Sequence, residues 1–377
     1  MAPNVLQLIG SFNQGGSERQ AVQLAKVLRA DGTYNVRVGC LSKEGVLLNE
    51  ITQAGFSEIP AFPLTSFYDA NMLRQVRACA KYLRENRIDL IHTHDFYTNI
   101  FGMLAGRLAR TRARIASKRE TDGMRSITQK AMEKNSYIFS HAIVVNAAAI
   151  KRHLMERGVR ENKIVIIHNG LDVERLALNA NRTEYEKRVM LRLPREKRLI
   201  TIVANLRHSI KNIPMFLRAA QVVSGSVSDA AFAIAGEGEL LDEMKAMAVD
   251  LGISENTYFL GRCSHVAELL SVSYAGVLSS TSEGFSNSIL EYMAAGLPVV
   301  ATRVGGAEEA VSENETGFLI DSNNHQAMAA KLIELLKNTH KATRLGAQGR
   351  EKVFAEFSLN GQLQKTKALY ERLLANS

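Results

Sequence analysis

The stretch from Ser279 to Glu309 constrains the fold more than any other part of the chain. The apolar run Ala275–Leu278 leads into hydroxyl residues and a turn at Glu283-Gly284. Apolar side chains at helical spacing follow, until a glycine and a proline end the helix. Val299-Val300-Ala301 has the pattern of the next buried strand. This order of strand, loop, helix and strand is typical of a parallel α/β sheet.

The start of this helix is suited to bind an anion. The first backbone N–H groups of a helix have no partner inside it, and the helix dipole adds positive potential there. The loop Gly284-Phe285-Ser286-Asn287 can therefore hold a phosphate or a diphosphate. Glu283 and Glu291 flank this loop and can accept hydrogen bonds from sugar hydroxyls, so the segment suits a nucleotide sugar. Ser288 and Glu291 equally fit a capping box, in which the carboxylate only satisfies backbone N–H groups.

The spacing of Glu283 and Glu291, with Gly284-Phe285 between them and AAGLPVVAT behind them, forms a specific string. It resembles the E-x7-E signature of retaining GT-B glycosyltransferases, the "glycosyl transferases group 1" type or glycosyltransferase family 4. The resemblance implies an α/β fold of two doubly wound Rossmann-like domains that face each other across a cleft. It also implies that Glu291 binds the nucleotide ribose and that Glu283 binds hydroxyls of the donor sugar.

Composition narrows the class of protein. The 377 residues are enough for two domains, and no apolar run reaches the roughly 18–20 residues of a membrane span. The first residues lack a signal-peptide charge pattern, and the three cysteines lack metal or disulfide spacing. These features favour a reducing compartment, so the sequence predicts a cytoplasmic protein.

Positive charge is concentrated in the first half of the chain. Residues 1–170 contain 24 Lys and Arg against 14 Asp and Glu, whereas the whole chain carries a net charge of +9. The most basic segment is 107–134, and its few aromatic residues argue against nucleic-acid binding. It is either a solvated surface or a face for an anionic membrane or acceptor. The second interpretation predicts a peripheral protein at the inner face of the membrane.

The first strand, Asn4 to Gly10, leads into a glycine loop. Gly15-Gly16 either lets the backbone approach a ligand or makes an ordinary tight turn before a helix. The spacing is not G-x-G-x-x-G, so it does not predict a dinucleotide fingerprint. The resemblance assigns Gly15 and Gly16 to the donor phosphates and Ser17 to the acceptor side.

A later strand, Asp89 to Thr93, ends in the sequence His92-Thr93-His94-Asp95. Strand alternation puts His92 and His94 on one face of that strand. Asp95 follows, but no third metal ligand is evident, so we expect no metal there. The resemblance places His94 beside the reacting sugar and the incoming acceptor. Arg119, after the strand Ala113 to Ser117, is expected on the acceptor side.

A turn at Asn169-Gly170 shortly precedes the boundary between the predicted domains. Asn169 and Gly170 suit positive φ and resemble the family turn that closes the first domain. Residues 173–197 are charged and have little apolar periodicity, which predicts a linker. The second domain then starts with a strand from Leu199 to Leu206.

Two cations follow that strand. Arg207 and Lys211 bracket the loop, and a pair of cations suits the neutralisation of a diphosphate. The resemblance gives them the same role, although Lys211-Asn212 stands where the family usually has Lys-Gly. The donor side is completed by a set of loop residues: Gly236, Gly238, Gly261, Phe285, Ser286 and Asn287.

We therefore predict an acceptor-side domain at 1–175, a nucleotide-sugar domain at 176–357 and a last helix at 358–377 that returns to the first domain. The resemblance implies transfer of a sugar, with retention, from a nucleotide-diphosphate donor. On family frequency this donor is a UDP-sugar. The acceptor is expected to be a hydroxyl of a glycan or lipid-linked molecule in surface-polysaccharide synthesis. No metal or other cofactor is expected. His94, Arg207, Lys211 and Glu283 would carry the catalysis.

Two other functions fit the same fold. A sugar-nucleotide epimerase or phosphorylase would need further acid and base groups, and we identify no such set. A non-catalytic membrane-associated scaffold would bind membrane without donor turnover. The presence of Arg207, Lys211, Glu283 and Glu291 together argues against the scaffold.

Overall fold

A computed structural model describes residues 2–13, 15–121, 125–172 and 182–375. The chain forms two compact units. Unit 1 consists of residues 1–170 and 359–377, and unit 2 consists of residues 171–358. The predicted boundary between residues 175 and 176 lies outside the described residues. Because unit 1 takes both ends of the chain, its site can be built from residues that are far apart in sequence.

Unit 1 contains a six-stranded parallel sheet in the order β2-β1-β3-β4-β5-β6. Its inner strands are buried on both faces, which explains their nearly continuous apolar runs. The order reverses between β1 and β3, and open α/β sheets bind ligands at the carboxyl ends of such a pair. The strands are β1 (Asn4–Ile9), β2 (Asn35–Cys40), β3 (Leu90–Thr93), β4 (Ala113–Lys118), β5 (Ala142–Val145) and β6 (Ile164–Ile166).

Helices flank this sheet. Asp95 caps the helix after β3 in a capping box with Thr98, which explains the sharp start of that helix. Within the described residues, no helix of either unit is long and apolar enough to cross a membrane. The helices of the N-terminal part are α1 (Gly16–Asp31), α2 (Leu47–Gln53), α3 (Ala70–Glu85), α4 (Phe96–Ala109), α5 (Ile127–Ser136) and α6 (Ala148–Glu156).

The last helix, α15 (Leu359–Ala375), packs into the core of unit 1 through Leu363, Leu369 and Tyr370. Gly170 lies against its start, and a Cβ on this glycine would stand 2.8 Å from Leu359 Cα. The expectation of positive φ at Asn169 and Gly170 is wrong, since neither residue adopts it. Close approach to the helix, rather than a left-handed turn, accounts for the glycine.

Unit 2 contains a second six-stranded parallel sheet, in the order β12-β11-β10-β7-β8-β9. The order reverses between β7 and β10, so this pair marks the expected ligand crevice of unit 2. Its apolar core lies between the sheet and its helices. The strands are β7 (Arg198–Val203), β8 (Ala230–Ala235), β9 (Thr257–Gly261), β10 (Ala275–Leu278), β11 (Val299–Thr302) and β12 (Gly317–Ile320).

The helices of unit 2 include one that the sequence did not predict. The interpretation of 173–197 as a linker is wrong for its described part, because Glu184–Met190 forms a helix capped by Thr183. Arg188 is buried there and donates to the carbonyls of Pro194, Lys197 and Val272. The helices are α7 (Glu184–Met190), α8 (Ile213–Ser224), α9 (Leu241–Asp250), α10 (Val266–Ser271), α11 (Asn287–Ala294), α12 (Ala307–Ala310), α13 (His325–Lys337) and α14 (Thr339–Glu356).

Candidate active site

In unit 2, the loops after β7 and β10 meet at the carboxyl ends of these adjacent strands. Lys211 ends a short 3-10 helix after β7, and its Nζ donates to Glu283 Oε1 at 2.5 Å. Ser280 Oγ donates to the same carboxylate oxygen at 2.6 Å. Ser279 Oγ holds the Lys211 carbonyl at 2.7 Å. The two predicted residues Lys211 and Glu283 therefore form one ion pair at the crevice.

Arg207 lies in the same loop and remains mostly exposed. Its guanidinium is 3.8 Å from Glu237, and 59% of the side chain is open to solvent. An exposed pair at this distance contributes little to stability. Arg207 can therefore turn toward an incoming anion without disrupting the fold.

The predicted strand Leu199 to Leu206 ends earlier, at Val203, because the next residues bend onto the glycine loop after β8. Leu206 N–H donates to the Glu237 carbonyl at 2.9 Å. A Cβ on Gly236 would lie 1.8 Å from the Ala204 carbonyl oxygen, and one on Gly238 would lie 2.1 Å from Leu206. These two glycines thus bring the loop against the segment that carries Arg207. Gly261 joins the same arrangement, since its carbonyl accepts from Gly236 N–H at 2.8 Å.

Helix α11 presents its N-terminus at this edge of the sheet. Ser286 is the N-cap and makes no side-chain capping bond, and the helix begins at Asn287. Ser288 is consequently inside the helix, so the alternative of a capping box formed by Ser288 and Glu291 is wrong. Backbone N–H groups at such an end are available to an anion. Glu291 follows just over one turn into the helix and is partly buried.

The loop before α11 is held by packing. Phe285 is buried, with its ring centroid 5.3 Å from that of Phe357. A Cβ on Gly306 would stand 2.2 Å from the Phe285 ring, and Gly306 N–H donates to the Gly284 carbonyl at 2.7 Å. The Phe285 side chain thus anchors this loop.

Tyr292 holds α11 in place, and the sequence analysis did not identify it. Its hydroxyl accepts from Val203 N–H at 2.6 Å, so it ties the helix to the end of β7. Its ring lies against Gly276, where a Cβ would stand 2.2 Å from the Tyr292 ring. The apolar helix pattern around it gave no signal for this contact, because a buried tyrosine looks like any other core residue in a sequence.

Unit 1 has a cavity of about 700 Å³ at the carboxyl ends of β1 and β3. The predicted residues Gly16, Ser17, His94 and Arg119 all line it. Gly15 is the N-cap of α1, and it makes no side-chain capping bond. Glu18 also lines the cavity, and burial raises the pKa of its carboxyl. The structure therefore brings the acceptor-side predictions together within one unit.

Behind His94 lies a chain of buried polar side chains. His94 Nε2 contacts Gln7 Oε1 at 2.7 Å, and Gln7 Nε2 donates to the Tyr370 hydroxyl at 2.9 Å. His92 Nδ1 lies 2.7 Å from the Tyr370 hydroxyl, and His92 Nε2 lies 2.7 Å from Ser117 Oγ. The two imidazole centroids are 4.4 Å apart, as expected for one strand face. Gln7 and Tyr370 were absent from the sequence prediction.

Burial keeps both imidazoles neutral. It lowers the pKa of His92 to about 3, and nearby Arg119 contributes to the shift. The pKa of His94 is also held well below its usual range, first by burial and then by His92 and Arg119. A neutral imidazole can accept a hydrogen bond from a hydroxyl, which an imidazolium cannot.

The basic segment 107–134 is not uniformly a surface. Lys118 is buried and pairs with Glu133 at 2.6 Å. Arg114 donates to the carbonyls of Thr111 and Phe139, both at 2.6 Å. Arg119 donates to Asn169 at 2.7 Å, and burial lowers its pKa to about 10. The exposed members of the described segment include Arg107, Arg110 and Arg112.

The two histidines do not form a metal centre with neighbouring residues. No group of three His, Cys, Asp or Glu side chains that could hold a metal ion occurs in the part of the chain that the structure describes. Asp95, the third residue of the sequence cluster, instead caps α4. A diphosphate could be held without a metal by Arg207, Lys211 and the start of α11.

Comparisons with known proteins agree with this architecture. The family model described as glycosyl transferases group 1 matches residues 183–352, and the model described as glycosyltransferase family 4 matches residues 14–175. The Escherichia coli UDP-Gal:alpha-D-GlcNAc-diphosphoundecaprenol alpha-1,3-galactosyltransferase is 26% identical over 309 residues, 78% of either chain. The Bacillus anthracis N-acetyl-alpha-D-glucosaminyl L-malate synthase is 28% identical over 217 residues, 57% of this chain and 56% of that protein.

A solved structure supports the same fold over the full length. Anabaena HepE in complex with UDP aligns with a TM-score of 0.86 at 20% identity, over 98% of this chain and 100% of that chain. Together with the two parallel sheets, this match shows the GT-B fold. The chain belongs to the group 1, or family 4, glycosyltransferases.

Proposed function

We propose that the enzyme transfers a sugar from a UDP-sugar to a hydroxyl of a glycan or lipid-linked acceptor, with retention of configuration and without a metal. The observation that carries the donor half is the Lys211–Glu283 pair at the switch point of unit 2. It supports the proposal, because a cation suited to phosphate and a carboxylate suited to sugar hydroxyls lie together in the loops at this switch point. A site for either ligand alone would not need both charges.

In this proposal Arg207, Lys211 and the N–H groups at the start of α11 offset the charge that grows on the departing diphosphate. Glu283 accepts hydrogen bonds from the sugar, and Glu291 accepts them from the ribose. The anomeric carbon loses its bond to the phosphate oxygen and gains a bond to the acceptor oxygen on the same face. The acceptor proton passes to the diphosphate oxygen, so no carboxylate nucleophile is required.

On the acceptor side, we propose roles for Ser17, His94 and Arg119, which line the cavity of unit 1. His94 has a buried Nδ1 with no hydrogen-bond partner among the described residues. Such an acceptor atom suits a substrate hydroxyl. Arg119 keeps its charge in this cavity and can bind an oxygen of the acceptor.

The relatives support the choice of substrates. The E. coli relative is named for a UDP-Gal donor and a diphosphoundecaprenol-linked acceptor, and HepE was solved with UDP. We extend these classes to this chain: a uracil nucleotide as the donor carrier, and a lipid-linked glycan of surface-polysaccharide synthesis as the acceptor. A cytoplasmic enzyme at the inner face of the membrane would meet both substrates.

A face of unit 1 supports membrane association within this proposal. Helix α4 exposes Tyr97, Leu104 and Leu108 at spacings that share one side, with Arg107 among them. Exposed apolar and basic side chains on one helix suit an anionic bilayer. Co-sedimentation with phosphatidylglycerol vesicles, but not with phosphatidylcholine vesicles, is expected. Leu104→Glu with Leu108→Glu should abolish it, and unchanged binding would contradict the assignment of this face.

The donor assignment is tested by a thermal-shift and hydrolysis panel of UDP-, GDP- and ADP-sugars with EDTA present. We expect stabilisation by UDP-sugars and slow release of UDP from one of them. Analysis of the released sugar without acceptor separates transfer from epimerisation, because an epimerase returns a new UDP-sugar instead. No shift with any nucleotide would reject the donor site and favour the scaffold function. Activity that appears only when Mg²⁺ or Mn²⁺ replaces EDTA would reject metal independence.

A further inference from the structure

We propose that Gln7, Tyr370, His92 and Ser117 act as positioning residues that hold His94 in one neutral tautomer, with Nε2 protonated and Nδ1 free to accept a hydrogen bond from a substrate hydroxyl. The proposal rests on the acceptor-side role of His94 in the proposed function. It adds a mechanism by which the fold sets the direction of the hydrogen bond at that residue. None of the four positioning residues needs to touch substrate.

The hydrogen-bond directions follow from the donors available. Gln7 donates its amide N–H to the Tyr370 oxygen, so its Oε1 can only accept from His94. His94 Nε2 must then carry the proton, which leaves Nδ1 as an acceptor. The Gln7 amide thus links the hydrogen-bond direction at Tyr370 to the hydrogen-bond direction at His94.

The other end of the chain supports the same direction. Among the contacts that the structure describes for the Tyr370 hydroxyl, His92 Nδ1 is the acceptor available for its single proton, so we assign this bond as a donation from Tyr370 to His92. His92 Nε2 then carries a proton and donates to Ser117 Oγ. Each ring is neutral in this arrangement, and every bond has one donor and one acceptor.

Burial makes the arrangement rigid. Gln7, His92, His94, Ser117 and Tyr370 are each exposed by 1% or less. Reversal of one bond would require reversal of its neighbours, because each inner group of the chain takes part in two of the bonds. The direction is thus a property of the whole chain of bonds.

The geometry also explains why Nδ1 is the atom left for substrate. His94 lines the cavity of unit 1, and its Nε2 is committed to Gln7. Nδ1 has no partner within the described residues, although it is buried. An unpaired buried polar atom carries a cost, which a bound hydroxyl would remove. If every hydrogen bond in this chain were reversed, His94 Nδ1 would carry a proton and act as a donor. It could then accept neither a proton nor a hydrogen bond from a hydroxyl.

The test reads the tautomer directly, without substrate, by long-range ¹H–¹⁵N NMR on the full-length protein labelled at histidine. His92 and Arg119 interact electrostatically with His94. The same cavity is also lined by Glu18, Asp95, Lys118, Glu120, Arg125 and Glu133, so spectra are recorded from pH 5 to pH 8. For His94 we expect a protonated Nε2 and an unprotonated Nδ1 throughout this range. A protonated Nδ1 at neutral pH, or an imidazolium, would overturn the proposal.

Variants separate positioning from packing. Gln7→Leu removes the acceptor for Nε2–H and should mix the two tautomers of His94. Tyr370→Phe keeps the ring but removes the hydroxyl, so it should have an intermediate effect. The matched control is Tyr34→Phe, whose ring packs on Tyr370 at 5.5 Å and whose hydroxyl lies outside the chain. An unchanged tautomer in folded Gln7→Leu would also overturn the proposal.

A kinetic readout follows with the UDP-sugar that gives turnover in the donor panel. Gln7→Leu should lower kcat about tenfold and leave KM for the donor within about threefold. A parallel loss in Tyr34→Phe would assign the effect to packing and contradict the positioning role. If wild-type protein turns over no donor, the proposed function fails, but the NMR result still decides the tautomer.

Discussion

Each unit contains its own parallel α/β sheet of six strands, yet different kinds of side chain form the ligand crevices of the two units. The crevice of unit 2 carries charges that are at least partly exposed, with Arg207, Lys211 and Glu283 on neighbouring loops. The crevice of unit 1 instead contains a buried chain of neutral groups, with His92 and His94 tied to an amide and a phenol, although charged side chains such as Arg119 and Glu18 also line it. The same architecture thus carries a partly exposed group of charges in unit 2 and a buried, directional chain of neutral groups in unit 1.

Under the proposed function, this difference matches the requirements of the donor diphosphate and of the sugar hydroxyls. A diphosphate brings charge, and exposed cations can reorient to neutralise it at little cost to the fold. A sugar hydroxyl brings no charge and must be held by the direction of a hydrogen bond. A fixed hydrogen-bond direction requires neighbouring groups that are themselves fixed. The groups behind His94 are therefore buried and hydrogen-bonded to one another.

The largest effect is expected for Glu283→Ala, which should separate catalysis from nucleotide binding in unit 2. Turnover should fall about a thousandfold, because a carboxylate aimed at the sugar is lost. Affinity for UDP should stay the same or rise, since Lys211 loses its protein partner and becomes available to phosphate. The measurements are kcat by UDP release and Kd for UDP by calorimetry, with exposed Glu255→Ala as the control. Equal losses in turnover and affinity would sink the assigned role.

Lys211→Ala should show the opposite pattern with a smaller loss. UDP affinity and kcat/KM should both fall by about a hundredfold, because a charge-assisted bond to phosphate is removed. Lys211→Arg, which keeps the charge, should recover part of both. The thermal shift with UDP is the simplest measurement. A full shift in Lys211→Ala would mean that Arg207 and the start of α11 suffice for the diphosphate.

As the pH falls, unit 1 should lose stability before unit 2. The pKa of His92 falls from the ordinary value of about 6.5 in the unfolded chain to about 3 in the fold, so the unfolded state binds the proton more tightly. The stability that neutral His92 contributes is therefore present above about pH 6.5 and is lost as the pH falls toward 3. The loss is about 1.4 kcal/mol per pH unit in that window.

Hydrogen exchange at pH 7.5 and pH 5, corrected for intrinsic rates, can compare peptides from β3 with peptides from β10. Asp95 and Glu18 oppose the trend, because burial raises the pKa of both carboxyls. The change in protection of β3 is therefore the net result of the histidines and these opposing carboxyls. In unit 2 the described histidines are all at least partly exposed. An equal loss of protection in both units would contradict this difference.

The smallest effect is expected for Tyr292→Phe. It removes the hydroxyl that accepts from Val203 N–H and leaves that backbone donor unpaired, at a cost of about 1–2 kcal/mol. The free energy of unfolding measured in urea should fall by this amount for unit 2, while kcat changes less than in Glu283→Ala. Tyr274→Phe, in the same unit, is the matched control for loss of a tyrosine hydroxyl. Greater loss of activity than of stability would point to a direct role in the site.

The sequence was informative wherever function depends on local pattern. The alternation of β3 put His92 and His94 on one face, and their rings are 4.4 Å apart. The strand, loop and helix pattern around Glu283 also gave the order of elements at the unit 2 crevice. Local periodicity and turn residues determine such features, so a single chain reveals them.

Features that depend on distant residues were out of reach. Gln7 and Tyr370 are 363 positions apart, and each looks like an unremarkable polar member of a buried element. The sequence does not indicate that Lys211 forms an ion pair with Glu283, although each residue was expected near the donor. The helix α7 was missed because its most buried side chain is Arg188, and a charged residue reduces the apolar periodicity on which the prediction relied.

The membership of α15 in unit 1 has a consequence for synthesis. A ribosome makes β1 and β3 early, whereas Tyr370 follows His92 by 278 positions, after the whole of unit 2. Before α15 emerges, the nascent unit 1 has its histidines without the Tyr370 hydroxyl. Under the roles proposed above, we expect a chain truncated before α15 to bind no acceptor at unit 1, even where unit 2 is complete. Assembly of the unit 1 site thereby waits for the synthesis of unit 2, because the seventeen-residue α15 docks on unit 1.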